Sequence, residues 1–212
     1  MNIIDVELES WNLFVFKFNW VAIIITLALL WGISFVIKKY LSYVNKKSIM
    51  IDEVNLGIGN SSVKLSYSKK DQEIAYKIWV ELSTRKIGLC FDKENDVIKE
   101  VYDSWYKFFG ITRELLKDIP VNRIPYSGDL IELTETVLNI GLRPHLTRWQ
   151  ARYRKWYDEE LKNNSGTPQE IQRKYPEYTA LIEDLLATNE KMIEYKKLMK
   201  RIAFDGECDN KR

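Results

Sequence analysis

The chain has 212 residues, 32 of them basic and 30 acidic for a net charge of +2, with 46% hydrophobic and 13% aromatic residues. That supplies a packed core for one medium domain plus appendages and excludes a disordered chain. The charge excess is too small to mark a nucleic-acid binder. The single histidine, His145, excludes a multi-histidine metal site, and the two cysteines, Cys90 and Cys208, have no metal-ligand spacing and fit a reducing compartment.

At the start, Ile4, Leu8, Trp11, Val15 and Phe18 recur at steps of three and four. Residues 1–17 therefore read as an amphipathic helix lying on the outer leaflet, or the membrane helix begins near Trp11 and tilts, with Lys17 reaching the headgroups. The segment from Phe18 to Ile37 is 20 residues without a charge, the length a helix needs to cross a bilayer. Its acidic approach (Asp5, Glu7, Glu9) and its "SFVIKKY" exit differ from the basic start and small-residue cleavage site of a signal peptide. Lys38, Lys39, Lys46 and Lys47 follow it against Lys17 alone before it, which places the N-terminus outside and the long C-terminal part in the cytoplasm.

After a basic linker, residues 38–48, a cytosolic domain is expected over 49–162. "SIMIDEVNLGIG" and "SSVKLSYS" read as a β-hairpin turning at Gly59-Asn60. Ile74, Ile78 and Leu82 mark a short amphipathic helix. In the next helix, Asp92 or Asn95 is the cap, Val97, Val101, Trp105 and Phe108 the apolar stripe, and Gly110 the stop. Two further helices are expected, Asp129 to Ile140 ending at Gly141, and Pro144 to about Leu161. A linker ends in a capping box of Thr167 and Glu170. The last helix, from Pro176 to about Phe204, belongs to a C-terminal segment 163–204 ahead of a loose tail, 205–212. The expected fold class is mainly α (α+β), with one N-terminal transmembrane helix, a short hairpin and a cytosolic helical domain.

No catalytic constellation stands out. "NLGIGN" lacks the third glycine and the lysine of a phosphate loop, and no base stands beside the scattered Ser and Thr residues. The expectation is a non-enzyme without cofactor or metal. Three features carry function instead. In the span, Asn19, Thr26, Leu30 and Ser34 fall on one helical face, which reads as pore or helix-interface lining, or as an ordinary span with tolerated hydroxyls. In "RPHLTRWQARYRKWYDEE", Leu146, Trp149, Tyr153, Trp156 and Tyr157 share one arc, and Arg148, Arg152 and Lys155 lie roughly opposite. That basic face is either solvated surface or a phosphate-binding patch. In the last helix, Tyr178, Leu181, Leu185, Met192, Tyr195 and Met199 form a near-heptad stripe that reads as an oligomerisation face or as a cover for the preceding helices.

An outward N-terminus, one span and a compact cytosolic domain, with the stretches "IWVELSTRKIGL" and "LRPHLTRWQARYRKWYDEE", resemble the small membrane effectors of bacterial anti-phage defence, specifically the Hailong type. The resemblance implies a homo-oligomer in the bacterial inner membrane, held silent by the nucleotide or short DNA product of a partner nucleotidyltransferase and released to depolarise the cell. On that expectation several copies, a tetramer for instance, gather their spans around a pore. The alternative is a passive anchor or adaptor that recruits a cytosolic partner.

Overall fold

The computed structural model describes residues 4–9, 12–18, 20–44 and 47–204. The chain is mainly α and divides into two units, Met1–Asn45 and Lys46–Arg212. The tail 205–212 and Cys208 lie outside the described residues.

In the first unit, β1 (Ile4–Glu9) and β2 (Asn12–Phe18) pair antiparallel, from Ile4 opposite Phe18 to Glu9 opposite Asn12, with an irregularity between Glu7 and Glu9. This corrects the amphipathic helix expected over 1–17. "NLFVFKF" alternates Phe14, Phe16 and Phe18 at period two and is rich in aromatic and β-branched residues. Such residues suit a pleated strand, whereas a segment this short cannot offset the cost of helix nucleation. Helix α1 then runs from Trp20 to Val44. Its 25 residues make about 37 Å, against a hydrocarbon core of about 30 Å. It passes seven residues beyond the expected end at Ile37, because "KKYLSYV" contains no Gly or Pro to stop it. Much of the expected basic linker is therefore helix.

The second unit opens with β3 (Lys47–Asp52) and β4 (Ser62–Tyr67), paired antiparallel in full register from Lys47 opposite Tyr67 to Asp52 opposite Ser62. The hairpin is as expected, but its connection is not a tight turn at Gly59-Asn60. One helical turn, α2 (Glu53–Leu56), leads into Gly57 at φ 65°, a conformation that glycine adopts without steric cost. The Glu53 N–H then closes the loop onto the Ser61 carbonyl at 3.1 Å. Helix α3 (Lys69–Thr84) starts at a capping box in which Ser68 and Asp71 exchange backbone and side-chain bonds. It buries Ile74, Ile78 and Leu82, as their spacing demands.

Helix α4 spans Ile98–Lys117, straight through Gly110, so that glycine is not a stop. Nor do Asp92 or Asn95 cap it. Asp92 instead accepts from the Glu94 and Asn95 N–H groups within its own turn. The Ile98 N–H is satisfied from a distance, by the Gln172 Oε1 at 2.9 Å. A tertiary cap of this kind leaves no local signature.

Helices α5 (Ile124–Thr136) and α6 (Arg143–Asn163) were expected to be separate, broken at Gly141. They are continuous through a π-helical segment, Val137–Leu142, where the Arg143 N–H bonds to the Leu138 carbonyl five residues back. Pro144 supplies the reason. It has no N–H for the Ile140 carbonyl and its ring would press on that carbonyl in a regular helix, so widening one turn lets the helix continue. Gly141 is buried, and a Cβ there would stand 3.4 Å from the Met192 methyl. The glycine packs beside Met192 and does not end its own helix. Helix α7 (Pro168–Gln172) begins with the expected Thr167–Glu170 capping box. Helix α8 (Tyr178–Ala203) closes the core against α3. The largest side chains in that core are Trp105, Trp149, Tyr102, Tyr153 and Tyr195.

Candidate functional site

Of the residues expected to line a pore, the described ones lie on a helix that no other described residue buries. None of the candidate span Ile23–Leu41 is buried, and Leu30 and Ser34 are exposed. Asn19 lies outside the described residues. The Thr26 hydroxyl donates to the Ile23 carbonyl at 2.9 Å, which satisfies it within the helix as a hydroxyl in an ordinary span is satisfied. The polar face required by an assembled pore is thus present only as exposed positions.

The C-terminal stripe has the opposite fate. Leu181, Leu185, Met192, Tyr195 and Met199 are all essentially inaccessible, and Tyr178 is half-buried. The Tyr195 hydroxyl donates to Thr134 Oγ1 of α5 at 2.9 Å. These residues are therefore corrected from an oligomerisation face to the wall of the chain's own core, packed chiefly against α3.

On α6 the division of faces is as expected. Trp149, Tyr153 and Tyr157 are buried, whereas Arg148, Arg152 and Lys155 are exposed. Arg148 and Arg152 lie over the Trp149 ring, 4.7 and 5.1 Å from its centroid. Arg152 also meets Glu177 at 3.4 Å. Rings and cations are neighbours here, yet the Trp149 edge is fully engaged inward, its Nε1–H donating to Asp184 at 2.7 Å. The Trp149 face is already covered by Arg148 and Arg152, so what these cations offer outward is charge.

Beneath it lies a buried relay. The Asp184 carboxylate also accepts from His145 Nδ1–H at 2.8 Å, and His145 Nε2 lies 3.1 Å from the Tyr102 hydroxyl. With His145 neutral and its hydrogen on Nδ1, Tyr102 donates to Nε2. Burial drives the His145 pKa below its ordinary value, against the pull of Asp184. Asp184 is pushed up by its own burial but held below the usual carboxylate value by the hydrogen bonds from His145 and Trp149. Burial raises Tyr102 far out of the titrating range. Tyr102 and His145 are enclosed while Asp184 is part-exposed, and the relay fixes α4, α6 and α8 together.

The neighbouring face of α6 forms a groove with α4, about 590 Å³ in volume. Tyr106, Phe109, Gly110 and Arg113 line it from α4, and Arg143, Leu146, Thr147, Gln150, Ala151 and Arg154 from α6. Gly110 has open space where a Cβ would stand. With Ala151 it keeps the floor low. No carboxylate is among the described residues that line the groove, and Glu114 lies beside it, 3.9 Å from Arg113. Arg143 stacks on Phe109 at 4.9 Å and bonds Asn139 at 3.0 Å. Arg154 pairs with Asp103 outside the lining, while its buried Nε has no hydrogen-bond partner. Tyr106 is two-thirds exposed. Three guanidinium groups and two rings around one cleft can hold a ligand that carries anionic groups and a planar ring.

Sequence reasoning missed Tyr106, Phe109, Arg113, Arg143 and Arg154, although Arg143, Thr147, Gln150 and Arg154 recur at steps of three and four. The signal was present on α6 but needed α4 as its second wall. Among the described residues no group of three or more His, Cys, Asp or Glu side chains could hold a metal ion. Comparison with family models, with curated proteins and with solved structures finds no match to the chain.

Proposed function

We propose that this protein is a non-catalytic, single-pass effector of the bacterial inner membrane. Its N-terminus faces out, its long domain lies in the cytoplasm, and several identical copies gather their spans to depolarise the cell in anti-phage defence. In this reading the domain is gated by a nucleotide or oligonucleotide made by a partner nucleotidyltransferase. The observation that carries it is the α4–α6 groove: three arginines, Phe109 and Tyr106 face one cleft with no carboxylate among its described lining residues. Phosphates seek guanidinium groups and bases seek ring faces. The groove supports the reading better than Arg148, Arg152 and Lys155, where the one ring is already covered by the cations.

The test uses the full chain in nanodiscs and a fluorescent deoxyoligonucleotide or nucleoside triphosphate, followed by polarisation. Arg113→Ala with Arg143→Ala is expected to lower affinity at least about tenfold, as two charge-assisted contacts at about 1.5–3 kcal/mol each imply. Arg148→Ala with Arg152→Ala leaves it within about threefold. Binding that ignores the groove pair, or no binding by the wild type, overturns the assignment. In cells, a potential-sensitive dye reports the effector role. Depolarisation on expression, relieved by Asn19→Leu with Thr26→Val, supports a lined conduit.

The second reading, a passive anchor or adaptor, draws on the Thr26 hydroxyl, which is turned onto its own helix at Ile23. Under it, replacing Trp20–Ile37 by an unrelated apolar helix preserves activity.

A further inference from the structure

We infer that the aromatic cap made by Tyr76, Trp79 and Phe204 docks on an anionic phospholipid surface. Tyr76 and Trp79 lie one turn apart on α3, with ring centroids 5.8 Å from each other. Phe204, at the C-terminal end of α8, meets both edge-on at 6.0 and 5.2 Å. Tyr76 is 48% and Phe204 36% exposed. Three aromatic side chains in mutual contact at the surface form a patch rather than scattered apolar residues. Their identity is informative, since Trp and Tyr belong at the headgroup boundary, where an apolar ring and a polar edge are both accommodated.

Charge points to the same occupant. Lys200 and Arg201 precede Phe204 by four and three residues, which makes them its neighbours on the helix surface. On α3, Glu73 is one turn before Tyr76 and is already paired with Lys70 at 2.5 Å. Lys200 and Arg201 also share a cavity of about 360 Å³ with Ile51 and Asp52, the last residues of β3. Strand β3 begins three residues after α1 ends. The eight residues from Val44 to Asp52 extend at most about 29 Å. The chain from α1 to this end of the domain is therefore short. An anionic surface attracts each Lys or Arg close to it by about fivefold in partitioning.

The inference rests on α1 being a span, and its test separates the two. The full chain, carrying Cys90→Ser and Cys208→Ser, receives one nitroxide at Lys77→Cys or, in a second sample, at Leu29→Cys in α1. Each is placed in nanodiscs of phosphatidylcholine alone or mixed with phosphatidylglycerol, and collision rates with oxygen and with a water-soluble nickel chelate are compared. The label at residue 77 is expected to favour oxygen in the anionic discs. Its preference should shift to the nickel chelate in neutral discs and when Lys200→Ala and Arg201→Ala are combined, the docked-to-free ratio falling about thirtyfold. A label at 77 equally open to the nickel chelate in both lipids, with residue 29 in lipid, overturns docking alone. A label at 77 shielded from both quenchers in both lipids shows a protein contact on the patch and also overturns it. Residue 29 found in water removes the span and the docking together.

Discussion

Helices α1 and α8 have 25 and 26 residues, and in the sequence both carry a stripe that reads as an assembly face. Their settings differ completely. None of the described residues buries the span Ile23–Leu41, whereas α8 has Leu181, Leu185, Tyr195, Met199 and Ile202 fully enclosed. The difference is one of surroundings on the wheel. From Ile23 to Ile37 the helix is apolar on all sides apart from the Thr26 and Ser34 hydroxyls, and Lys38 and Lys39 follow. Helix α8 alternates its apolar stripe with Glu and Lys and packs that stripe chiefly against α3. A near-heptad repeat therefore reports that a helix is covered and says nothing about whose atoms cover it.

The sharpest way to break this comparison is Leu185→Ala. A residue at the centre of the core is expected to cost about 3 kcal/mol when truncated, visible as a lower melting temperature of the full chain in nanodiscs. An interface residue would instead alter the mass of the assembly and leave the domain's melting transition in place.

Next in size is Asn189→Ala. The Asn189 amide donates to the Ile87 and Leu89 carbonyls at 2.9 and 3.1 Å, and its oxygen accepts from the Phe91 N–H at 3.1 Å. It is thus the inner clasp of the loop before α4. Its loss should cost about 2–3 kcal/mol, since buried backbone groups are left unpaired, and hydrogen exchange at residues 87–91 should accelerate. Unchanged exchange there would mean that the loop holds itself.

A smaller effect follows from pH. Because burial lowers the His145 pKa, the unfolded chain takes up this proton first, and stability falls as pH drops below about 6.5 until the folded value is reached. Asp184, whose folded pKa is also lowered, adds a loss of the same sign below its ordinary carboxylate range. The slope from His145 alone is at most about 1.4 kcal/mol per pH unit. His145→Gln should flatten the upper part of that decline in chemical denaturation, and an unaltered slope would place the proton uptake elsewhere. Smallest of all, Arg148→Ala should change stability by no more than about 1 kcal/mol, the scale of an exposed cation–ring contact.

Much of this fold was legible where local chemistry decides it. The hairpin of β3 and β4, the Thr167–Glu170 capping box, the Ile74–Ile78–Leu82 stripe and the outward basic face of α6 all follow from residue type and period. What escaped was decided at a distance. Gln172 caps α4 from α7, Gly141 lies buried inside a continuous helix, and Pro144 is absorbed by a π-turn rather than a break. The candidate groove belongs with these. Arg143 and Arg154 could be placed on one face of α6 by counting, but Tyr106, Phe109 and Arg113 could be set opposite them only by knowing that α4 packs there. The β1–β2 pair escaped for a different reason: "NLFVFKF" satisfies a helical and a strand period at once, and its aromatic composition favours the strand.

The proposal that identical copies gather their spans to form the conducting element is tested most directly by native mass spectrometry of the full chain released from nanodiscs. The account predicts a closed homo-oligomer, a tetramer on the sequence expectation, that persists when Arg148 and Arg152 are replaced by Ala and dissolves when Trp20–Ile37 is exchanged for a polyleucine helix. A monomer contradicts it, because one helix encloses nothing.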